Sequence, residues 1–144
     1  MIMTQNDKDL KELLLKDLCA RLPYGVKCRY QHIQYVENGK IIDINMFGRV
    51  NVDGHIKDIC DIKPYLIPLS SMTKEQKREY HQSTSKDIDM LQDVILERIN
   101  GKDNTNSHAI AYNGVDWLNA HHFDYRGLIE KGLAIDATNL GIYK

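Results

Sequence analysis

The chain has 144 residues, 42% hydrophobic and 27% charged, the profile of a folded domain that buries roughly two-thirds of its unfolded surface rather than of a disordered chain. Its 19 Lys and Arg stand against 20 Asp and Glu, for a formal net charge of −1, so no global field draws it to nucleic acid or to an anionic membrane. The opening MIMTQNDKD lacks the basic and long apolar regions of a secretory signal, and no stretch approaches the roughly 18 apolar residues of a membrane span. A single soluble, cytoplasmic α+β domain over residues 1–144 is the expectation.

In chain order, Asp7 to Leu22 carries Leu10, Leu13, Leu14, Leu18 and Leu22 at helical spacing, which predicts an amphipathic helix capped by Asn6 or Asp7. Arg21 suits the end of that helix, and Pro23-Tyr24-Gly25 stops it. From Val26 to Cys60 the texture changes to β-branched and aromatic residues, with Cys28, Tyr30 and His32 on one parity and Ile33 and Tyr35 on the other. Asn38-Gly39 predicts a type I′ hairpin turn, and Lys40 to Phe47 a returning strand with Ile42, Ile44 and Met46 on one face. Gly48 breaks or bulges that strand, Arg49 to Val52 continues it, and Asp53-Gly54 predicts a second tight turn into His55 to Cys60. The outcome is a meander of three or four antiparallel strands, which either curls into a small SH3-like barrel or packs one face against helices.

Asp61 to Ser71 contains Pro64 and Pro68 and reads as an ordered strap, residues 61–72, laying Tyr65, Leu66, Ile67 and Leu69 across the core. The remainder, residues 73–144, reads as mainly helical. Thr73 and Gln76 form a capping box for a short exposed helix to about Gln82. Ser85 caps a second helix, with Ile88, Leu91, Ile95 and Ile99 in phase, that ends at Asn100-Gly101 before a polar loop, Lys102 to Ser107. Asn113 to His122 predicts a helix whose Val115, Leu118, His121 or His122, and Tyr125 share a face, with Arg126-Gly127 at its end. Leu128 to Lys131 forms a last turn closed by Gly132, and Leu133 to Ala137 returns as a short edge strand.

The block Asp116 to Ala134, DWLNAHHFDYRGLIEKGLA, resembles a group of small proteins without assigned activity from gut Bacteroidales phages, prophages and other mobile elements. Leu13 to Val26 (LLLKDLCARLPYGV) and Asp61 to Glu75 (DIKPYLIPLSSMTKE) are similar to the same group's opening helix and linker, while the strands between Lys27 and Cys60 look like its variable part. The resemblance implies a phage or mobile-element origin and brings no activity with it.

His121-His122 with Asp124 has the right donors for zinc or acid–base work. Adjacent helical residues point about 100° apart and no H-x-x-x-H spacing occurs, so a structural His packed with Trp117 and Tyr125 is the stronger reading. Ser70-Ser71 lacks a G-x-S-x-G elbow, and neither a Walker A loop nor G-x-G-x-x-G is present. Cys19, Cys28 and Cys60 form an odd set without a C-x-x-C pair, pointing to reduced, mostly buried thiols, with Cys19 in the core of its helix. No catalytic residue, metal or cofactor is therefore assigned.

What remains is Trp117, His121, His122, Phe123, Tyr125 and Arg126, ring and guanidinium groups of the kind enriched at interface hot spots. Trp117, His121, His122, Tyr125 and Arg126 are the candidate partner-binding residues, set against the reading that Trp117 and Phe123 are simply core. The expected function is a non-catalytic protein-interaction module. The rival is a nucleic-acid-binding accessory protein using Arg29, Tyr30, Lys40 and Arg49, and an enzyme with a His-centred site trails both.

Overall fold

A computed structural model describes residues 4–31, 34–45, 47–84 and 114–143. The helix predicted from Ser85 to Ile99, the Lys102 to Ser107 loop, and His32, Ile33 and Met46 lie outside the described residues. The chain forms two compact units, Met1–Leu66 with Gly127–Lys144, and Ile67–Arg126.

The first unit begins with helix α1, Gln5–Arg21. Its cap is Thr4 rather than Asn6 or Asp7. Thr4 Oγ1 accepts the Asp7 N–H at 3.1 Å, and the Asp7 carboxylate accepts the Thr4 N–H at 3.3 Å, so Asp7 serves as the third residue of a capping box. The buried face contains Leu14 and Leu18, as the leucine period predicts, and also Asp17 and Arg21. Gly25, at φ 73°, closes the turn Leu22–Tyr24 that follows.

Strands β1 (Lys27–Gln31), β2 (Val36–Ile44), β3 (Arg49–Val52) and β4 (His55–Asp58) pair consecutively and antiparallel, giving the expected four-stranded meander. Two details differ from the sequence reading. Asn38-Gly39 is not a turn: both residues lie inside β2, opposite Arg29 and Cys28, and the chain reverses between Gln31 and Val36. Close approach accounts for the glycine, since a Cβ at residue 39 would stand 2.6 Å from Val52 Cγ1 and 2.7 Å from Asp53 Oδ2. Gly39→Ala is expected to cost about 1–3 kcal/mol of stability through overpacking, read as a lower urea midpoint.

The second difference is parity. Alternation from Gly39 puts Ile41 in the core at 1% exposed and Ile42 outside at 52%, and a register shift between Ile41 and Asp43 then brings Ile44 back against the core, because one extra residue in a strand switches the faces that follow. Ile42 and Ile44 therefore do not share the core face. The second turn is as predicted: Asp53 and Gly54 have φ of 50° and 94°, and Asn51 Oδ1 accepts the Gly54 N–H at 2.8 Å.

The proline-framed strap is instead a strand, β5 (Ile62–Pro68), antiparallel to β1 with Cys28 opposite Pro64 and Tyr30 opposite Ile62. A proline enters a ladder where its missing N–H is not called on, and Pro68 closes the strand. Tyr65 and Leu66 are buried, as expected of apolar residues crossing the core. Cys28, Tyr30, Ile41, Val50, Val52, Ile59, Ile62 and Leu66 pack with Leu14, Leu18 and Leu128. Of the thiols only Cys28 is buried; Cys19 and Cys60 are exposed, correcting the expectation that burial would claim most of them and that Cys19 is a core residue.

Residues 128–132 form the anticipated turn, with Gly132 at φ 74°. With β6 (Phe123–Asp124) belonging to the second unit, the next strand here is β7 (Ile135–Asp136), which runs parallel to Tyr65 and Leu66 of β5. The Tyr143 hydroxyl accepts the Lys27 N–H and donates to the Tyr65 carbonyl, both at 2.8 Å, and burial pushes its phenol up to about 12. The Tyr30 hydroxyl donates to Glu37 at 2.6 Å, and this bond, ahead of burial, raises Tyr30 to about 12 as well. Both phenols hold their protons more tightly folded than unfolded. Their contribution is complete below about pH 10 and is lost as pH rises toward 12. An ultraviolet tyrosinate titration should show Tyr30 and Tyr143 among the late phenols, and alkaline unfolding should set in over that window.

In the second unit the Thr73–Gln76 capping box is formed, with Gln76 N–H on Thr73 Oγ1 at 3.1 Å and Thr73 N–H on Gln76 Oε1 at 2.9 Å. It opens α2, Lys74–Thr84, whose residues 74–81 are exposed apart from the half-buried Gln76 and from Tyr80, anchored at 0% exposure. Residues 114–120 are helical, here α3. Beyond them the helical C-terminal half is not found: among the described residues after α3 there are only turns and the short strands β6 (Phe123–Asp124) and β7. The physical stop is His122 at φ 65°, a left-handed conformation that His tolerates better than most residues. No described helix is long and apolar enough to cross a membrane.

Candidate functional site

The second unit's core is Met72, Tyr80, Leu118, Phe123 and Tyr125, with Ile67, Leu69, Val115 and Trp117 packed against it. Three elements bring the rings together. Helix α2 supplies Tyr80 and α3 supplies Trp117. The turn at His122, whose N–H donates to the Asn119 carbonyl at 3.1 Å and whose carbonyl accepts the Ile67 N–H at 2.9 Å, swings Phe123 into β6, parallel to Ile67 and Pro68.

Trp117 is the hub. The Tyr80 ring meets it edge-on at 5.2 Å, the His121 imidazole stacks on it at 3.9 Å, and Phe123 lies nearly parallel at 5.9 Å. Its half-buried state persists despite these contacts. His121 Nδ1 lies 2.9 Å from the Trp117 carbonyl, and because a carbonyl only accepts, Nδ1 carries the proton in this bond. A second, polar group stands beside the first in sequence. Tyr125 is buried at 7% exposed and donates its hydroxyl to Asn119 Oδ1 at 2.8 Å, while Arg126 Nη1 donates to that hydroxyl at 2.8 Å with the guanidinium 4.7 Å above the Tyr125 ring.

Four of the five candidate residues thus fall into two sets. Trp117 and His121 form a stack; Tyr125 and Arg126 form a hydrogen-bonded pair anchored on Asn119. His122 makes the turn through its backbone, and the helical face expected to carry Tyr125 ends before it. Tyr125 and Phe123 are core, whereas Trp117, His121, His122 and Arg126 are each half-buried. Asn119 and Tyr80 were missed in the sequence. Asn119 had a legible signal, a polar residue one position after Leu118 on the same helix, but its acceptor role depends on the chain doubling back at His122.

Among the described residues no group of three or more His, Cys, Asp or Glu side chains is placed to hold a metal ion. His121 is committed to a carbonyl on one nitrogen, and the adjacent His122 lies in the turn beyond α3. Of the residues considered for nucleic acid, Arg29, Lys40 and Arg49 are exposed, but Tyr30 is 3% exposed and has no free face on which a base could stack. No family model matches the chain, and no curated protein or solved structure matches it.

Proposed function

We propose that the protein is a non-catalytic protein-interaction module of phage or mobile-element origin, working in the cytoplasm of a bacterial host, with Trp117, His121 and Arg126 as its partner-contacting residues. One observation carries this reading: Trp117 is braced by Tyr80, His121 and Phe123 yet is only partly buried. A ring already held in place binds without losing rotamer freedom, which is why rigid aromatics and a neighbouring Arg dominate interface energetics. Arg126, oriented by Tyr125, adds directional donors beside it. In the first unit we read the meander as a partly open, SH3-like curl. β2 supports this by pairing with β1 through residues 36–40 and with β3 through 41–44, bending at the register shift between.

The test uses tagged full-length protein in a Bacteroidales lysate, followed by calorimetry with the captured partner. His121→Ala and Arg126→Ala, whose side chains are not core, should keep the circular dichroism spectrum and weaken that partner about tenfold each. Unchanged affinity in both variants would remove the reading. Salt-dependent retention on single-stranded DNA, with no protein captured, would put nucleic acid in the partner's place.

A further inference from the structure

On the first unit, α1 and the segment around the start of β5 enclose a cleft of about 410 Å³, within the roughly 300–1,000 Å³ range of small-molecule sites. The floor is aliphatic: Leu14, Ile59 and Ile62 are buried, with Leu10 and Leu133 half-buried beside them. Leu10, Lys11 and Leu14 share one stripe of α1 by their spacing of one, three and four, so a cation sits among the leucines on the helix wall. Lys63 supplies a second cation from the strand wall.

The charge at Lys63 is not balanced by its neighbours. It stands directly opposite Arg29 in the β1–β5 ladder, and like charges in that position repel. Among the described residues neither makes an ion pair with an acid; the ion pair found there joins Arg21 and Asp17. Asp7, the acid lining the cleft, is turned to the Thr4 N–H at the helix start. Lys11 feels Asp58, whose carboxyl it helps to hold below the usual carboxylate range after the hydrogen bond from Cys60. An aliphatic floor whose rim carries two lysines against one carboxylate matches an apolar chain ending in one negative charge.

We propose that this cleft binds a small amphipathic carboxylate, a free medium-chain fatty acid of roughly eight to ten carbons by its volume, with the chain on Leu10, Leu14, Ile62 and Leu133 and the carboxylate held by Lys63 and Lys11. This site is independent of the Trp117 surface. A cationic chain of equal length gains the same apolar burial but meets two lysines against the single carboxylate of Asp7, and a neutral chain gains nothing from the lysines, so the sign of the head group discriminates.

Cysteine chemistry reads the site directly. Cys60 lines the cleft and is exposed, Cys19 is exposed on α1 outside the lining, and Cys28 is buried. With decanoate kept below its micelle concentration, iodoacetamide alkylation of Cys60, followed by peptide mass spectrometry, should slow saturably while Cys19 keeps its rate. Decylamine and decanol should protect far less. Lys63→Glu, which pairs with Arg29 across the ladder and so keeps the fold, should weaken decanoate about tenfold, and Leu133→Trp should abolish protection by filling the cleft. Equal slowing at Cys19, equal protection by decylamine, decanoate affinity unchanged in Lys63→Glu, or no protection by decanoate would each overturn the proposal.

Discussion

Replacing Asp17 with alanine is expected to lower the unfolding free energy by about 3–5 kcal/mol, a large share of what a domain of this size possesses. Asp17 and Arg21 lie one turn apart on α1, both at 0% exposed, with Nε 2.7 Å from Oδ2. Neither charge can recover its hydration where it is, so each depends on the other. Removing the carboxylate leaves a guanidinium in the interior without that partner. The pair itself is a different matter from its halves. Changing both residues together, Asp17→Leu with Arg21→Met, removes both desolvation costs and should restore most of the loss. Urea unfolding followed by circular dichroism distinguishes the two cases; a single variant within 1 kcal/mol of the parent would mean that water reaches the pair.

Phe123→Ala is the second large effect, about 3–5 kcal/mol within the second unit. Phe123 is fully buried, stacks on Trp117, and sits where the chain leaves the His122 turn to pair with Ile67. Its removal takes away buried ring area and leaves a hole that Leu118 and Met72 cannot fill without moving the rings around them. The protein contains one Trp, so its fluorescence reports on this cluster alone. The expected result is a red-shifted emission with an earlier unfolding transition. An unmoved spectrum would mean that Tyr80 and His121 hold the indole by themselves.

Much of the first unit was legible because its signals are local. The leucine spacing of α1, the stop at Gly25 and the Asp53-Gly54 turn each follow from a few adjacent residues, and each stands in the structure. Asn38-Gly39 has the same turn chemistry and yet lies in a strand, paired with Arg29 and Cys28 of β1, where Val52, Asp53 and Tyr30 leave no room for a side chain at residue 39. Those neighbours belong to other segments of the chain. The strand through Pro64 and Pro68 was hidden for a related reason: a proline is excluded from a ladder only if its nitrogen is needed there, and pairing partners are not written in the local sequence.

The candidate site was legible in composition and not in geometry. A helical period runs on paper from Val115 to Tyr125, but one residue at φ 65° ends it at His122 and converts the next two into a strand. This change separates Tyr125 from the helix face and joins it to Asn119. The Asp17–Arg21 pair carried a sequence signal, opposite charges four apart on the leucine face, which pattern reading assigns to solvent by default.

The hydroxyl of Tyr143, clasped between the Lys27 N–H and the Tyr65 carbonyl, has a consequence for biosynthesis. Ribosomes deliver a polypeptide from its amino end, and the body made by 1–66 borrows its closing pieces from 127–144. That body stays incomplete through translation of everything between, with Leu66 waiting for Ala137 and β1 for Tyr143. Nascent chains halted before Tyr143 would present open strand margins, the surfaces that chaperones shield.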